Sequence, residues 1–195
     1  NVIRNQLTNL QMLDVSGLAA ECGPELNISN QKKLTKVILP TAATALRNGC
    51  IEKCEILTDI VMPPALTSIP DYFVNGCKQL EHIDIPQTVT KVGYCAFQYC
   101  NCLKEITLPK GVTEIGNSAF YECIALQSIV LPDSLKTLGN QAFRNCTALK
   151  QVTLPKGLQE LTDGCFRNTG FESFTLPDGV KIVGDAAFGE CKSLN

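Results

Sequence analysis

The sequence predicts a mainly β solenoid, a right-handed coil of 23-residue rungs. Three observations predict it: proline recurs at a fixed spacing, apolar residues recur at fixed positions around it, and cysteine recurs later in each repeat. The prolines follow a 23-residue period, with a last interval that is one residue shorter, at Pro40, Pro63, Pro86, Pro109, Pro132, Pro155 and Pro177. A period of this kind is typical of solenoids, in which each repeat buries its apolar face against the next.

The first part of each rung is predicted to be a short strand. Leu103, Ile106 and Leu108 follow the spacing Leu-x-x-Ile-x-Leu, so Ile106 and Leu108 share one face while Thr107 points the other way. Pro109 then ends the strand, because proline cannot donate a hydrogen bond to a ladder. Stacked rungs are therefore expected to form a parallel sheet on one face of the coil.

The second part of each rung predicts short strands and turns elsewhere. Val112 and Ile115 form another apolar pair, which we assign to a short extended segment on the opposite wall. Gly116 permits a tight turn. Ala119 and Phe120 are a small and a large core residue, expected in a 3-10 or single helical turn that is too short for a real helix.

Departures from the repeat define the predicted boundaries. Phe73 arrives one residue early, and Tyr72 stands where the other rungs have alanine, which predicts a local irregularity. Residues 16–31 fit the rung poorly and are expected to bulge. We therefore assign residues 1–33 to a degenerate N-terminal rung or cap and residues 34–195 to the solenoid, which we expect to continue past Asn195 in the parent protein.

The repeat has a specific motif, A-F-x-x-C-x-x-L-x-x-I-x-L-P. One copy comprises Ala96, Phe97, Cys100, Leu103, Ile106, Leu108 and Pro109. This motif resembles the BspA-like (treponemal-type) leucine-rich-repeat family, and the resemblance covers residues 34–195. The period also lies within the range of about 20–29 residues for leucine-rich repeats. The resemblance implies a cell-surface protein of a kind that includes adhesins for host matrix proteins, although such a fold specifies function poorly.

Composition and motifs exclude several function classes. The net charge is −2 and the 17 basic residues are scattered, whereas nucleic-acid-binding proteins cluster theirs, so no nucleic-acid partner is predicted. No apolar stretch approaches the roughly 18 residues of a membrane span, so this segment is not expected to insert into a membrane. The glycine-rich phosphate-binding and nucleophile-elbow motifs are missing, and no cofactor is predicted.

The cysteine spacing predicts a column of thiols. Six cysteines share one position of the repeat: Cys54, Cys77, Cys100, Cys123, Cys146 and Cys191. We expect them to be buried and reduced, because stacked side chains point the same way and resist the geometry of a disulfide. Cys50 and Cys165 take the position of Ala119 and are expected in the core. With one histidine and no paired C-x-x-C, no metal site is predicted.

Three further cysteines do not fit the repeat. Cys22, Cys95 and Cys102 leave open a surface disulfide or a reactive thiol.

One group of ionisable residues is predicted on the exposed side of the sheet. His82, the sole histidine, precedes the inward Ile83 and is therefore exposed beside Asp84, while Asp59 and Glu105 take the position of His82 on the neighbouring rungs. These four residues are the candidate binding patch. Two interpretations stay open: an acidic contact point that responds to pH, since imidazole titrates near neutrality, or ordinary solvated residues.

No catalytic residues are predicted. A Cys–His pair requires a thiol within hydrogen-bond reach of the imidazole. Cys77, however, is expected to point inward at the turn and away from His82.

Two function hypotheses follow from these observations. The first is a non-catalytic, adhesin-like module on a cell surface or secreted, which binds a protein or other macromolecule, such as a host matrix protein, over the exposed sheet face. The alternative is a structural spacer or a cytoplasmic interaction scaffold. The abundance of free thiols favours that alternative, because reducing compartments keep cysteine unpaired.

Overall fold

The computed structural model describes residues 9–194 as a solenoid with two walls of short parallel strands. The first wall carries the strands β1 (Met12–Asp14), β2 (Lys36–Ile38), β3 (Asp59–Val61), β7 (Ser128–Val130) and β9 (Gln151–Thr153). The second wall carries β4 (Ser68–Ile69), β5 (Lys91–Val92), β6 (Glu114–Ile115), β8 (Thr137–Leu138), β10 (Glu160–Leu161) and β11 (Ile182–Val183). The apolar side chains of both walls point into one core.

The strand register follows the period of the sequence. Lys36 pairs with Asp59 on the first wall, and Lys91 pairs with Glu114 on the second, each partner lying one full repeat further along the chain. Like residues therefore stack on like residues, which gives continuous columns of leucine, isoleucine and phenylalanine. The predicted solenoid of 23-residue rungs is confirmed.

The sheet of the first wall is interrupted, which the sequence did not predict. Within residues 9–194 its strands form two ladders, β1-β2-β3 and β7-β9, and the intervening rungs at residues 82–84 and 105–107 are extended without strand pairing. Ile83 and Ile106 are still buried beneath this stretch, so the predicted alternation of inward and outward residues holds. The second wall keeps the ladder β4-β5-β6-β8 across the same rungs, and its own break falls further along the chain, between β8 and β10.

The turn after the second wall is not the helical turn that the sequence predicts. Residues 117–122 form consecutive hydrogen-bonded turns, in which Ser118 (φ 55°) and Glu122 (φ 58°) adopt the left-handed conformation. Two left-handed residues so close together interrupt any helix of L-residues, because such a helix needs an unbroken run of right-handed conformations. Among the residues described, the 3-10 conformation is confined to Ala20–Glu25.

The expected irregularity at Phe73 is an exchange of two columns. The backbone N–H of Val74 donates to the Ala96 carbonyl, as that of Phe97 donates to the Ala119 carbonyl. Phe73 therefore occupies the alanine column and Val74 the phenylalanine column, and the 23-residue period is kept. Both side chains are fully buried, so a large residue next to a small one fills the space that alanine and phenylalanine fill in the other rungs.

A stack of phenylalanine rings runs through the core. The ring centroids of Phe97 and Phe120 are 5.1 Å apart, as are those of Phe120 and Phe143, and both pairs are within 2° of parallel. Phe143 and Phe166 follow at 5.5 Å. Towards the C-terminal rung the stack widens into a cluster with Phe171, Phe174 and Phe188.

The predicted thiol column is present, and each thiol has a defined acceptor. The thiol groups donate to a carbonyl of the preceding rung at 3.0–3.4 Å: Cys54 to Ile28, Cys77 to Ile51, Cys100 to Val74, Cys123 to Phe97 and Cys146 to Phe120. Such S–H···O contacts are weak, but they satisfy buried polar atoms at a turn. All of these cysteines are unpaired, in keeping with the expected reduced column.

The remaining cysteines divide into two groups. Cys50 and Cys165 are buried in the alanine column, as expected. Of the three cysteines that do not fit the repeat, Cys95 is only 2% exposed, whereas Cys22 and Cys102 are partly exposed and are the two for which a surface thiol stays open. Thr169 takes the cysteine position in the shortened rung, where its hydroxyl donates to the Phe166 carbonyl at 3.0 Å and contacts the Cys191 sulfur at 3.2 Å.

The N-terminal segment packs against the first regular rung instead of standing apart from it. Strand β1 pairs in parallel with β2, and Leu13, Leu26 and Ile28 are buried. The 3-10 helix places Gly23 against the backbone of Ala45. A Cβ atom on Gly23 would lie 2.3 Å from the Ala45 carbonyl oxygen. The assignment of residues 1–33 to a cap stays a prediction, and residues 1–8 lie outside the part described.

This packing predicts a steric effect at Gly23. Gly23→Ala is expected to lower the free energy of unfolding by about 2–3 kcal/mol, because the overlap is with backbone and cannot be relieved by a rotamer change. Gly17→Ala is the control: a Cβ there would meet nothing within 4 Å, and the smaller entropy of the unfolded chain should make the change neutral or slightly stabilising. Equal urea midpoints for the two variants would contradict this packing.

Candidate binding surface

The candidate binding patch lies on the first wall, across its open stretch. His82, Asp84 and Glu105 are exposed and Asp59 is half-buried. Asp84 projects furthest, with 93% of its side chain accessible to solvent. Ile83 and Ile85, which alternate with these residues, are buried below them and hold the segment to the core.

The structure does not bring the four residues into one cluster. Asp59 forms an ion pair with Lys36 on the preceding rung. The Nε2 atom of His82 lies 2.9 Å from Oδ1 of Asp84 within a single rung. Glu105 has no ion-pair partner among residues 9–194 and borders a shallow groove that His82 also lines.

Only Asp59 of the four lies on an assigned strand. The prediction that the patch stacks on paired neighbouring strands is therefore wrong for His82, Asp84 and Glu105. Asp84 borders a second shallow groove with Val61 and Met62, which lies between the last strand of one ladder and the first unpaired rung.

Sequence reasoning missed a second charged row beside the patch. Lys104 lies in the same groove as His82 and Glu105, and its Nζ is 2.7 Å from Glu81 Oε2 of the preceding rung. The hydrogen bond and charge of Glu81 raise the pKa of Lys104, so this ammonium stays charged at neutral pH. The patch is consequently less acidic than its four residues suggest.

Exposed apolar residues flank the patch on the first wall. Val61 is 41% exposed and Val130 is 67% exposed, and both occupy the repeat position of Asp84 on other rungs. Thr107 lies between them in the same row and is also exposed. These residues belong to an outward row that the repeat pattern predicts on the exposed sheet face.

A group of aromatic residues also lies outside the surface that the sequence singled out. Tyr72, Tyr94 and Tyr99 are exposed and Tyr121 is partly exposed on the turn that follows the second wall. The signal was present in the sequence as two pairs of tyrosines, each separated by one residue less than the repeat, but sequence reasoning considered only the rows of the first wall.

The part of the chain that the structure describes has neither a candidate metal site nor a candidate membrane span. Between residues 9 and 194 no three His, Cys, Asp or Glu side chains are grouped so that they could hold a metal ion. None of the helical segments in this range has the length and apolar character to cross a bilayer.

Comparisons with known proteins agree with this architecture. The family described as the BspA type leucine rich repeat region matches with 6 copies over residues 25–103 and 67–195. Among curated proteins, none matches the sequence.

Solved structures of bacterial proteins resemble the chain. A leucine-rich repeat protein from Bacteroides ovatus ATCC 8483 superposes with a TM-score of 0.74 at 27% identity, over 87% of this chain and 57% of that one. The T. pallidum leucine rich repeat protein gives 0.74 at 30% identity, over 83% of this chain and 78% of its own. A leucine rich cell surface protein from Faecalibacterium prausnitzii A2-165 gives 0.67 at 23% identity, over 96% and 47%.

The chain thus spans little more than half of the Bacteroides ovatus protein. Proteins with this repeat are generally protein-interaction modules. Three findings agree over most of the chain: the 23-residue register, the stacked columns of phenylalanine and cysteine, and the region that the family matches. The chain belongs to the BspA-type leucine-rich-repeat family.

Proposed function

We propose that this protein is a non-catalytic binding module displayed on a cell surface, and that it contacts a macromolecular partner through the first wall around Asp59, His82, Asp84 and Glu105. The observation that carries the proposal is the unpaired stretch of this wall, where ionisable side chains project to solvent between the exposed Val61 and Val130. Protein interfaces commonly have an apolar centre and a polar rim, and this surface has both kinds of residue side by side.

Surface display is supported by the relatives. The Faecalibacterium prausnitzii protein is described as a leucine rich cell surface protein, and a pneumococcal vaccine antigen, PcpA, is also similar in fold. Glu105 has no ion-pair partner among the residues described, and the ion-pair partner of Asp84 there is His82. Both carboxylates can therefore contact a basic surface on the partner. Host matrix or plasma proteins are the class of partner that we propose.

The patch predicts a charge-dependent association rate. In Asp84→Lys combined with Glu105→Lys, association with a basic partner is expected to slow about tenfold or more at low salt, because exposed charges act mainly on encounter rates. Stability should change by less than about 1 kcal/mol, since both side chains are exposed. The measurement is surface plasmon resonance against a panel of purified matrix and plasma proteins.

A matched control separates the patch from net charge. Asp133→Lys combined with Glu160→Lys makes the same change in charge at exposed positions outside the patch. A partner whose association rate does not change in the Asp84 and Glu105 double variant would mean that the patch is ordinary solvated surface.

The second candidate function is a structural spacer or a cytoplasmic interaction scaffold. All eleven cysteines are unpaired, which favours a reducing compartment. Antibody labelling of intact and permeabilised cells of the source organism distinguishes the two. Labelling that requires permeabilisation, together with no binding to any matrix or plasma protein, would support the scaffold.

A further inference from the structure

All four tyrosines of the sequence lie on the turn that follows the second wall, on three consecutive rungs. Tyr72 and Tyr94 form one edge-to-face pair, with ring centroids 5.1 Å apart and planes at 81°. Tyr99 and Tyr121 form a second, at 5.8 Å and 81°. We call these four residues the tyrosine ladder. Its rings form a surface separate from the candidate binding patch.

The fold does not require aromatic residues at these positions. In other rungs the column of Tyr72 holds Gly49, Cys95, Ser118, Gln141 and Gly164, and the column of Tyr99 holds Lys53, Gly76, Glu122, Asn145 and Asn168. Those rungs make the same turn with the same hydrogen bonds. The other rungs thus serve as an internal control, because they stack in the same register without tyrosine at these positions.

Two of the tyrosines occupy strained backbone positions. Tyr72 has φ 56° and Tyr99 has φ 61°, in the left-handed region that bulky residues disfavour. Gly49 (φ 63°) and Gly76 (φ 74°) hold the equivalent conformations without that penalty. The same left-handed conformation recurs in these two columns at Lys53, Ser118, Glu122 and Gln141, so it belongs to the turn of the repeat and does not depend on tyrosine.

The surroundings of the ladder carry amide and charged groups. The Nδ2 of Asn75 donates to Oε1 of Gln98 at 2.7 Å, in the two rungs that precede Tyr121 in its column. Asn145 Nδ2 lies 3.3 Å from both the Tyr121 hydroxyl and Glu122 Oε1. The Arg144 guanidinium lies 5.8 Å from the Tyr121 ring centroid.

We propose that the tyrosine ladder binds a neutral glycan chain, with hexose rings against the tyrosine faces and hydroxyl groups hydrogen-bonded to the neighbouring amides. A hexose has an apolar C–H face and a rim of hydroxyls, which match an aromatic ring bordered by amide and carboxylate groups.

Other partners fit the ladder less well. A phosphate or sulfate polymer needs clustered cations, and Arg144 is the cation held against these rings. The centre of a protein interface is usually apolar, whereas the amides Asn75 and Gln98 occupy the column of Tyr121 here.

Intrinsic fluorescence reports on this surface alone, because the chain has no tryptophan and all its tyrosines are in the ladder. The probes are cellohexaose, xylohexaose, laminarihexaose, mannohexaose and chitohexaose, titrated at millimolar concentration. At least one is expected to change the tyrosine emission in a saturable way. If none does so, the proposal is overturned.

Variants then connect binding to the ladder. Tyr72→Gly combined with Tyr99→Gly should weaken binding of the same oligosaccharide by about tenfold or more in calorimetry, a loss that a single hydrogen-bonded or stacked contact can account for. Tyr72→Asn with Tyr99→Asn is the second pair, because asparagine also tolerates the left-handed conformation. The matched control is Lys53→Gly with Gln141→Gly, which makes the same backbone change in the same columns (φ 58° and 57°).

Two further results would overturn the proposal. One is oligosaccharide binding that neither tyrosine variant weakens. The other is a glycoprotein that binds the ladder equally well before and after enzymatic removal of its glycans, which would assign the surface to a protein partner. The charge-reversal variant of the candidate binding patch should leave oligosaccharide binding unchanged, so failure here and failure of the proposed function are distinguishable.

Discussion

Phe120→Ala is expected to lower the free energy of unfolding by about 3–5 kcal/mol, the loss typical of a large aromatic residue removed from a core. Phe120 is fully buried and lies between two rings, each with its centroid 5.1 Å away and nearly parallel. Truncation removes its own burial and leaves a cavity bordered by Phe97 and Phe143. The rungs are tied together through the second-wall ladder, so they cannot close around the gap.

Thr107→Ala is the control for this prediction. Thr107 is exposed on the first wall in the same rung as Phe120, and the change should cost well under about 1 kcal/mol. Urea unfolding monitored by circular dichroism gives both values. Similar midpoints for the two variants would contradict the assignment of inward and outward positions.

Alkaline solution is expected to destabilise the protein strongly through its buried thiols. Burial raises the pKa of Cys54 from 9.0 to about 11 and that of Cys165 to about 12, and it also raises those of Cys100 and Cys123. In the unfolded chain these thiols ionise near their ordinary value, so between about pH 9 and 11 the unfolded state holds fewer protons. Stability therefore falls as the pH rises, by up to about 1.4 kcal/mol per pH unit for each buried thiol.

A threonine variant isolates the contribution of one thiol. Cys146→Thr places in the column the residue that Thr169 already supplies, so it should reduce the slope of stability against pH above 9. Cys102→Ser removes a partly exposed thiol and should leave the slope unchanged. Alkylation read by mass spectrometry should modify Cys102 in the native protein and the column cysteines only after unfolding. An unchanged slope in Cys146→Thr would contradict the buried column.

The period of the sequence specified most of the fold because each apolar position recurs in every stacked rung. A single Leu-x-x-Ile-x-Leu segment is ambiguous, but its repetition in rung after rung identifies the inward positions, and Ile83, Ile106 and Leu108 are all buried as predicted. The exchange at Phe73 and Val74 shows the limit of this approach. The early position of Phe73 was interpreted as a local irregularity of one rung. The register is kept instead, because two adjacent columns together hold the volume of one large and one small residue.

Features that depend on backbone geometry could not be predicted in this way. The left-handed residues Ser118 and Glu122 have no common side-chain signature, since their columns accept glycine, tyrosine, cysteine and lysine alike. The opening of the first wall depends on how several rungs pack together, which no single repeat encodes. The position of Asp84 was therefore predictable, but the lack of strand pairing around it was not.

The surface that sequence reasoning missed has a similar explanation. Tyr72 and Tyr94 are separated by one residue less than the repeat, so they belong to adjacent columns and meet only across the diagonal of two stacked rungs. A search along columns cannot find such a pair. Glu81 and Lys104, by contrast, are one full repeat apart and share a column, but that column lies one row outside the candidate binding patch.

The thiol column provides an infrared label that is native to the chain. The S–H stretching vibration absorbs where proteins otherwise contribute almost nothing, and its frequency shifts with the strength of the hydrogen bond that the thiol donates. Because the thiol of Cys123 donates to the Phe97 carbonyl at 3.2 Å and that of Cys146 to the Phe120 carbonyl at 3.0 Å, each band reports the separation of two particular rungs. Spectra recorded during heating, with one cysteine at a time changed to alanine, would therefore show which end of the coil unzips first.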